Sequence, residues 1–168
     1  KNTVRIVEAF ARMAKQEPGE DITLVFAGRC DQMYGETQLA VERHGLQARV
    51  HFTDYFPGED LPELLRHANA LIYPSLIEGF GLPLLEAQAS GTPVITSDRF
   101  AMPEVTGPTG LLVDPEDVEA MAEAMARICA QNDDPLRSDL RAVDYAHDFL
   151  WSDTARGTLA AYEAVGRK

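Results

Sequence analysis

Apolar residues recur at helical spacing over residues 3–16, with Ile6, Val7, Phe10, Ala11, Met13 and Ala14 clustered on one face. Pro18-Gly19 ends that segment. Ile22 to Ala27 is then a continuous apolar run closed by Gly28, the pattern of a strand covered on both faces of a parallel sheet. The alternation continues with a helix over 34–45 closed by Gly45, a strand Val50–Thr53, a helix over 60–68 and a strand from Ala70 to Ser75. A short helix over 83–90, strands Val94–Ser97 and Leu111–Val113, and helices over 116–131, 136–149 and 151–165 complete the chain. The segment 98–109, with Pro103, Gly107 and Pro108, reads as surface loop. Trp151 and Tyr162 read as packing residues of the last helix.

Strands separated by helices predict an α/β fold, a Rossmann-like doubly wound parallel sheet, in a single domain spanning residues 1–168. Such a sheet ordinarily opens with a strand that lies in its middle. This chain opens with a helix, and with Lys1 rather than Met, as a processed or excerpted chain does. The expectation is therefore that the first strand lies upstream of Lys1. Without it the strand at 22–27 lacks its natural neighbour, and if nothing lies upstream a swapped strand, a dimer contact or a rearrangement must fill the gap.

Composition narrows the partners. The 168 residues include 15 Lys and Arg against 27 Asp and Glu, a net charge of −12. Nucleic acid and anionic membrane surfaces both select for clustered basic residues, so neither is an expected partner. An anion would have to be held locally, by backbone N–H groups and one or two cations. No apolar run approaches the ~20 residues of a membrane span, and the start lacks the apolar core of a signal peptide. Two cysteines, Cys30 and Cys129, without a CxxC pair predict a reducing, cytoplasmic setting. His44, His51, His67 and His147 show no metal-ligand spacing, and no metal is expected.

In doubly wound sheets, ligands lie beyond the carboxyl ends of the strands. The segment Pro74-Ser75-Leu76-Ile77-Glu78-Gly79-Phe80-Gly81-Leu82-Pro83-Leu84-Leu85-Glu86 falls there. Gly79 and Gly81 allow close backbone approach and positive φ. Pro83 suits the first turn of a helix, which puts the amides of Phe80, Gly81 and Leu82 at a helix start, a favourable place for phosphate. Glu78 precedes the turn and Glu86 lies one turn inside the helix, so the two acids bracket one site and suit the hydroxyls of a sugar or ribose. On local chemistry alone, a tight turn with a favourable helix-dipole charge at Glu86 fits as well.

The stretch PSLIEGFGLPLLEAQASGTPVITSD resembles the signature of the large retaining glycosyltransferase family of GT-B fold. Met102-Pro103-Glu104-Val105, Gly110 to Pro115, and Phe149 to Tyr162 resemble further family segments, so the likeness covers nearly the whole chain. The resemblance implies the C-terminal, nucleotide-sugar-binding half of a two-domain enzyme. It implies Glu78 beside the donor sugar, backbone groups of Gly79, Phe80, Gly81 and Leu82 at the sugar and diphosphate, Glu86 on the ribose hydroxyls, and Lys1 on the diphosphate. The family's Arg would lie upstream, and Arg29, after a different strand, reads as a loop charge. It implies a nucleotide-diphosphate sugar as substrate and no cofactor. A glycan, lipid-linked or small-molecule acceptor would sit on the missing N-terminal domain. Thr53-Asp54-Tyr55-Phe56 is the candidate base pocket, with Tyr55 or Phe56 stacking on the base or else covering the core; Glu104 reads as a structural brace. A non-catalytic nucleotide-sugar-binding module is the alternative. A flavodoxin-like receiver with Asp54 as phosphoacceptor is remote, because the strand ends carry neither the acidic pair nor the Lys that receivers use.

Overall fold

The computed structural model describes residues 1–15, 22–29, 34–55, 57–130 and 140–166. Pro18-Gly19, Cys30, Phe56 and the start of the helix expected over 136–149 lie outside these residues. Five parallel strands alternate with helices: α1 (Thr3–Met13), β1 (Leu24–Ala27), α2 (Tyr34–Arg43), β2 (Val50–Asp54), α3 (Leu61–His67), β3 (Leu71–Tyr73), α4 (Leu82–Ala89), β4 (Val94–Ser97), α5 (Met102–Thr106), β5 (Leu111–Val113), α6 (Val118–Ala130), α7 (Leu140–His147) and α8 (Trp151–Gly166). The α/β reading holds, with element ends shifted by a few residues.

The strands form two sheets. β1 pairs with β2, Leu24 opposite Val50; β3, β4 and β5 lie in that order, Leu71 opposite Val94 and Ile95 opposite Leu111. One apolar core joins the sheets: Val7 and Phe10 of α1, Ile95 of β4 and Met121 and Met125 of α6 are all essentially inaccessible, in one cluster with Leu24 and Val50. Between the facing edges of β1 and β3, no strand is present among the described residues. A cavity of about 590 Å³ lies there, lined by Phe10, Val25, Phe26, Ile72, Met125 and Ile128 among others. This gap lies where the expected first strand would pair. It also explains a departure: Ile22–Ala27 reads as buried on both faces, yet Val25 is 40% exposed and Ala27 is exposed, because their side is open to the cavity.

Two other readings need correction. The expected surface loop at 98–109 contains α5, whose Met102, Val105 and Thr106 are buried; Met102 and Val105 pack with Leu65, Leu84, Ala87 and Val94. Pro103 sits in the first turn, where a helix tolerates it, so a proline taken as a loop marker is here a helix starter. Trp151 and Tyr162 are not packing residues within this chain. They are 78% and 73% exposed, and α8 buries none of its residues.

Candidate functional site

The site is assembled at the carboxyl end of β3. Three contacts fix that strand end. Thr96 of β4, wholly buried, donates its hydroxyl to the Tyr73 carbonyl at 2.9 Å, and the Ser75 amide donates to the same carbonyl at 2.9 Å. From the other side, Asn2 donates its amide nitrogen to the carbonyls of Pro74 at 3.2 Å and Pro115 at 2.5 Å. Asn2 holds a left-handed conformation, φ 62°, which Asn accepts more readily than most residues, and Arg5 donates to its Oδ1 at 3.0 Å. The start of α1, and with it Lys1, is thereby tied to the strand end.

Beyond Pro74 the chain runs through an irregular loop to α4. Gly81 caps α4 with φ 106°, and a Cβ there would lie 2.8 Å from Met102 Cε and 3.2 Å from Leu84 Cδ1. Gly79 differs: its φ is not positive, and a Cβ there would meet nothing within 4 Å. Only Gly81 uses the freedom read into both glycines; Gly79 instead leaves open space above the backbone. Pro83 falls in the first turn of α4 as expected, and no side chain caps that helix start. Pro83 has no N–H and Leu84 donates to the Gly81 carbonyl at 2.9 Å, so of the first three helical positions the Leu82 amide is the one open to a ligand. Behind them α4 is pinned by the buried Gln88, which donates to the Thr106 carbonyl at 2.8 Å.

The Phe80 side chain turns to structure. Its ring meets Phe149 edge-on at 5.9 Å, and Phe149 meets Tyr145 at 5.4 Å. Tyr145 donates its hydroxyl to the Glu104 carbonyl at 2.6 Å, so the bracing expected of Glu104 runs through its backbone. The loop is anchored by an aromatic side chain while Gly79, Phe80 and Leu82 remain exposed.

The first acid of the motif is held by a phenol. Tyr73 donates its hydroxyl to Glu78 Oε1 at 2.6 Å, and Ser75 donates to the same oxygen at 3.3 Å. Burial pushes the Tyr73 hydroxyl up to about 12; the hydrogen bond and negative charge of Glu78 add to this, Ser75 opposes it, and Glu86 contributes a further upward push. Glu86 lines the cavity together with Lys1, Tyr73 and Pro83. Among the described residues Lys1 forms no ion pair, whereas Arg99 is held by Asp114 at 2.7 Å and Glu116 at 2.9 Å. Lys1 is thus a cation available at this strand end.

The candidate base pocket is a separate, exposed feature. Tyr55 is 69% exposed with the Arg29 guanidinium 5.4 Å above its ring, and Phe56 lies outside the described residues. Arg29 is more than a loop charge: it stacks. A small cavity of about 80 Å³ beside it is lined by Lys1, Gly28, Arg29 and Phe52 among others. Sequence reasoning missed Tyr73 and Asn2. A polar-tipped Tyr at the end of an apolar strand and an Asn directly before a helix were the available signals. No group of three or more His, Cys, Asp or Glu side chains able to hold a metal occurs among the described residues.

Comparison with known proteins identifies the family. The profile of the family described as Glycosyl transferases group 1 matches residues 1–145. The chain is 38% identical over 127 residues to the O-antigen chain mannosyltransferase B of Escherichia coli, covering 74% of this chain and 33% of that protein. It is 35% identical over 170 residues to the D-inositol 3-phosphate glycosyltransferase of Nocardia farcinica, covering 95% of this chain and 37% of that one. It thus spans about a third of the length of these curated relatives. Among solved structures it resembles the C-terminal domain of a glycosyl transferase group 1 family protein from Francisella tularensis, with a TM-score of 0.74, 27% identity, and coverage of 88% of this chain and 78% of that one. With the motif at α4, the parallel fold and the profile in agreement, the chain belongs to the glycosyl transferases group 1 family.

Proposed function

We propose that the chain is the donor-binding part of a retaining glycosyltransferase. It binds a nucleotide-diphosphate sugar at the start of α4, while another domain of the full protein holds a glycan, lipid-linked or small-molecule acceptor. The observation that carries this reading is that Glu78, held by Tyr73, and Glu86 flank the uncapped start of α4, at the strand end to which Asn2 ties Lys1.

In this reading the diphosphate rests against the backbone of Gly79, Phe80, Gly81 and Leu82, with Lys1 neutralising it. Glu78 accepts hydrogen bonds from sugar hydroxyls and Glu86 from ribose hydroxyls. Tyr55 stacks on the base. As the bond from the anomeric carbon to phosphate breaks, charge builds on the leaving diphosphate, where the helix amides and Lys1 stabilise it. The acceptor hydroxyl attacks the same face; its oxygen bonds to the anomeric carbon and its proton passes to the departing phosphate. No enzyme nucleophile and no metal take part. The net charge of −12 supports a local cradle of this kind, because the chain as a whole repels the ligand. We place the protein in the cytoplasm, where activated nucleotides are plentiful. We also propose that a strand upstream of Lys1 fills the gap between β1 and β3.

The test is calorimetry of the chain against UDP, UDP-glucose, GDP and GDP-mannose, with Glu86→Ala alongside. A hydrogen bond to a charged group is worth about 1.5–3 kcal/mol, so removing Glu86 should weaken the preferred probe by about 10- to 100-fold with the fold intact. Unchanged affinity in Glu86→Ala, or binding of none of the probes, contradicts the proposal.

A further inference from the structure

We propose that Tyr73 is the positioning residue for Glu78: its hydroxyl holds Oε1 and so presents Oε2 to the donor. This rests on the reading that Glu78 faces the donor sugar.

Glu78 stands on the irregular loop between β3 and α4, where no helix or strand restrains its three side-chain torsions. A loop glutamate samples many rotamers, and ordering it on ligand binding costs affinity. The two hydrogen bonds it receives fall on the same oxygen, Oε1, from Tyr73 and Ser75. Among the described residues Oε2 receives none. A carboxylate held by one oxygen with the other vacant is arranged to accept from a ligand hydroxyl.

Tyr73 is suited to this task. Its backbone is held at the strand end, with the Thr96 hydroxyl and the Ser75 amide both on its carbonyl. Its ring packs against the cluster of Leu65, Leu84, Ala87, Val94, Met102 and Val105. The hydroxyl is therefore placed by rigid neighbours, and a separation of 2.6 Å is that of a strong hydrogen bond to an ionised acceptor. Burial and two nearby carboxylates keep the phenol protonated, so the donor persists at any physiological pH. A Phe at this position would fill the same core space yet leave Glu78 untethered.

The test compares the affinities of the full chain for UDP and UDP-glucose, and for GDP and GDP-mannose, in wild type, Tyr73→Phe, Glu78→Gln and the double variant. The readout is the sugar increment, the ratio of nucleotide to nucleotide-sugar dissociation constants. Glu78→Gln should bring the ratio close to one. Tyr73→Phe should reduce it by about 3- to 10-fold, the loss of one hydrogen bond, with nucleotide affinity unchanged and the fold intact by circular dichroism. The double variant should match Glu78→Gln alone, because Tyr73 acts through Glu78. A purely structural Tyr73 would weaken nucleotide and nucleotide sugar alike, or add its effect to that of Glu78→Gln; either result, or an unchanged ratio in Tyr73→Phe, overturns the inference. If Glu78→Gln itself leaves the ratio unchanged, Glu78 does not face the sugar and both proposals fall.

Discussion

The contrast between the two glycines of the Gly79-Phe80-Gly81 turn makes a sharp test of how this site is built. At Gly81, an Ala side chain meets two costs. The backbone lies at φ 106°, beyond the left-handed optimum near +57°, where an L-residue already loses roughly 1–2 kcal/mol. The new Cβ would sit 2.8 Å from Met102 Cε and 3.2 Å from Leu84 Cδ1. Met102 is 1% exposed, so its methyl group must shift within a packed core, at a cost of about 1–3 kcal/mol. The less flexible unfolded chain returns only about 0.4–1 kcal/mol. A net loss of about 1–4.6 kcal/mol follows, equivalent to a melting temperature about 2–18 °C lower for a domain of this size. At Gly79 neither cost applies, and Gly79→Ala should melt within about 2 °C of wild type. Its Cβ would instead occupy the open space assigned to the donor, so nucleotide-sugar affinity should fall while stability does not. Differential scanning calorimetry and titration calorimetry on the two variants separate these effects. Equal melting temperatures for Gly81→Ala and wild type would refute the packing argument. Full affinity in Gly79→Ala would refute the role given to the turn.

Other expectations concern the frame around the site. The Tyr73 hydroxyl is raised above its unfolded value of 10, so its protonated form contributes stability that is fully present below pH 10 and declines as pH rises through about 12. Tyr73→Phe should flatten that part of a urea-denaturation profile; an unchanged slope between pH 10 and 12 would show the hydroxyl to be unperturbed. Asn2→Ala removes the bonds to the Pro74 and Pro115 carbonyls and places Ala in the left-handed region, so a loss of about 2–3 kcal/mol is expected by denaturant unfolding. A change below 0.5 kcal/mol, on the order of an ordinary surface substitution, would mean the clamp is slack. Extending the protein upstream by its natural sequence should fill the space between β1 and β3 and slow hydrogen exchange at the amides of Leu24–Ala27 and Leu71–Tyr73; exchange as fast as in the present chain would argue against a strand there.

The sequence carried the order of strands and helices because β4, buried along its whole length, and α1, with one apolar face, leave strong periodic patterns. α5 was not legible: five residues are too few for a helical period to register, and Pro103 looks the same in a loop as in a first turn. The exposure of Trp151 and Tyr162 was hidden because a helix's pattern shows that it has an apolar face without showing what covers it. The helix start at Gly81-Pro83, with Glu78 before it and Glu86 inside it, could be read from spacing. The link from Tyr73 to Glu78 could not, because it depends on where a loop of irregular torsions returns. Phe80 looked like a ligand contact and is, by its side chain, an anchor on Phe149.

The central claim is that a diphosphate rests on the amides at the start of α4 with an acid on either side. It is tested most directly by a crystal structure with the preferred nucleotide sugar bound. The account predicts phosphate oxygens within about 3.2 Å of backbone nitrogens in Gly79–Leu82, a hydrogen-bond distance, with the hexose at Glu78 and the ribose at Glu86. Ligand density confined to the slot between β1 and β3, or to the surface around Arg29 and Tyr55 alone, would contradict it.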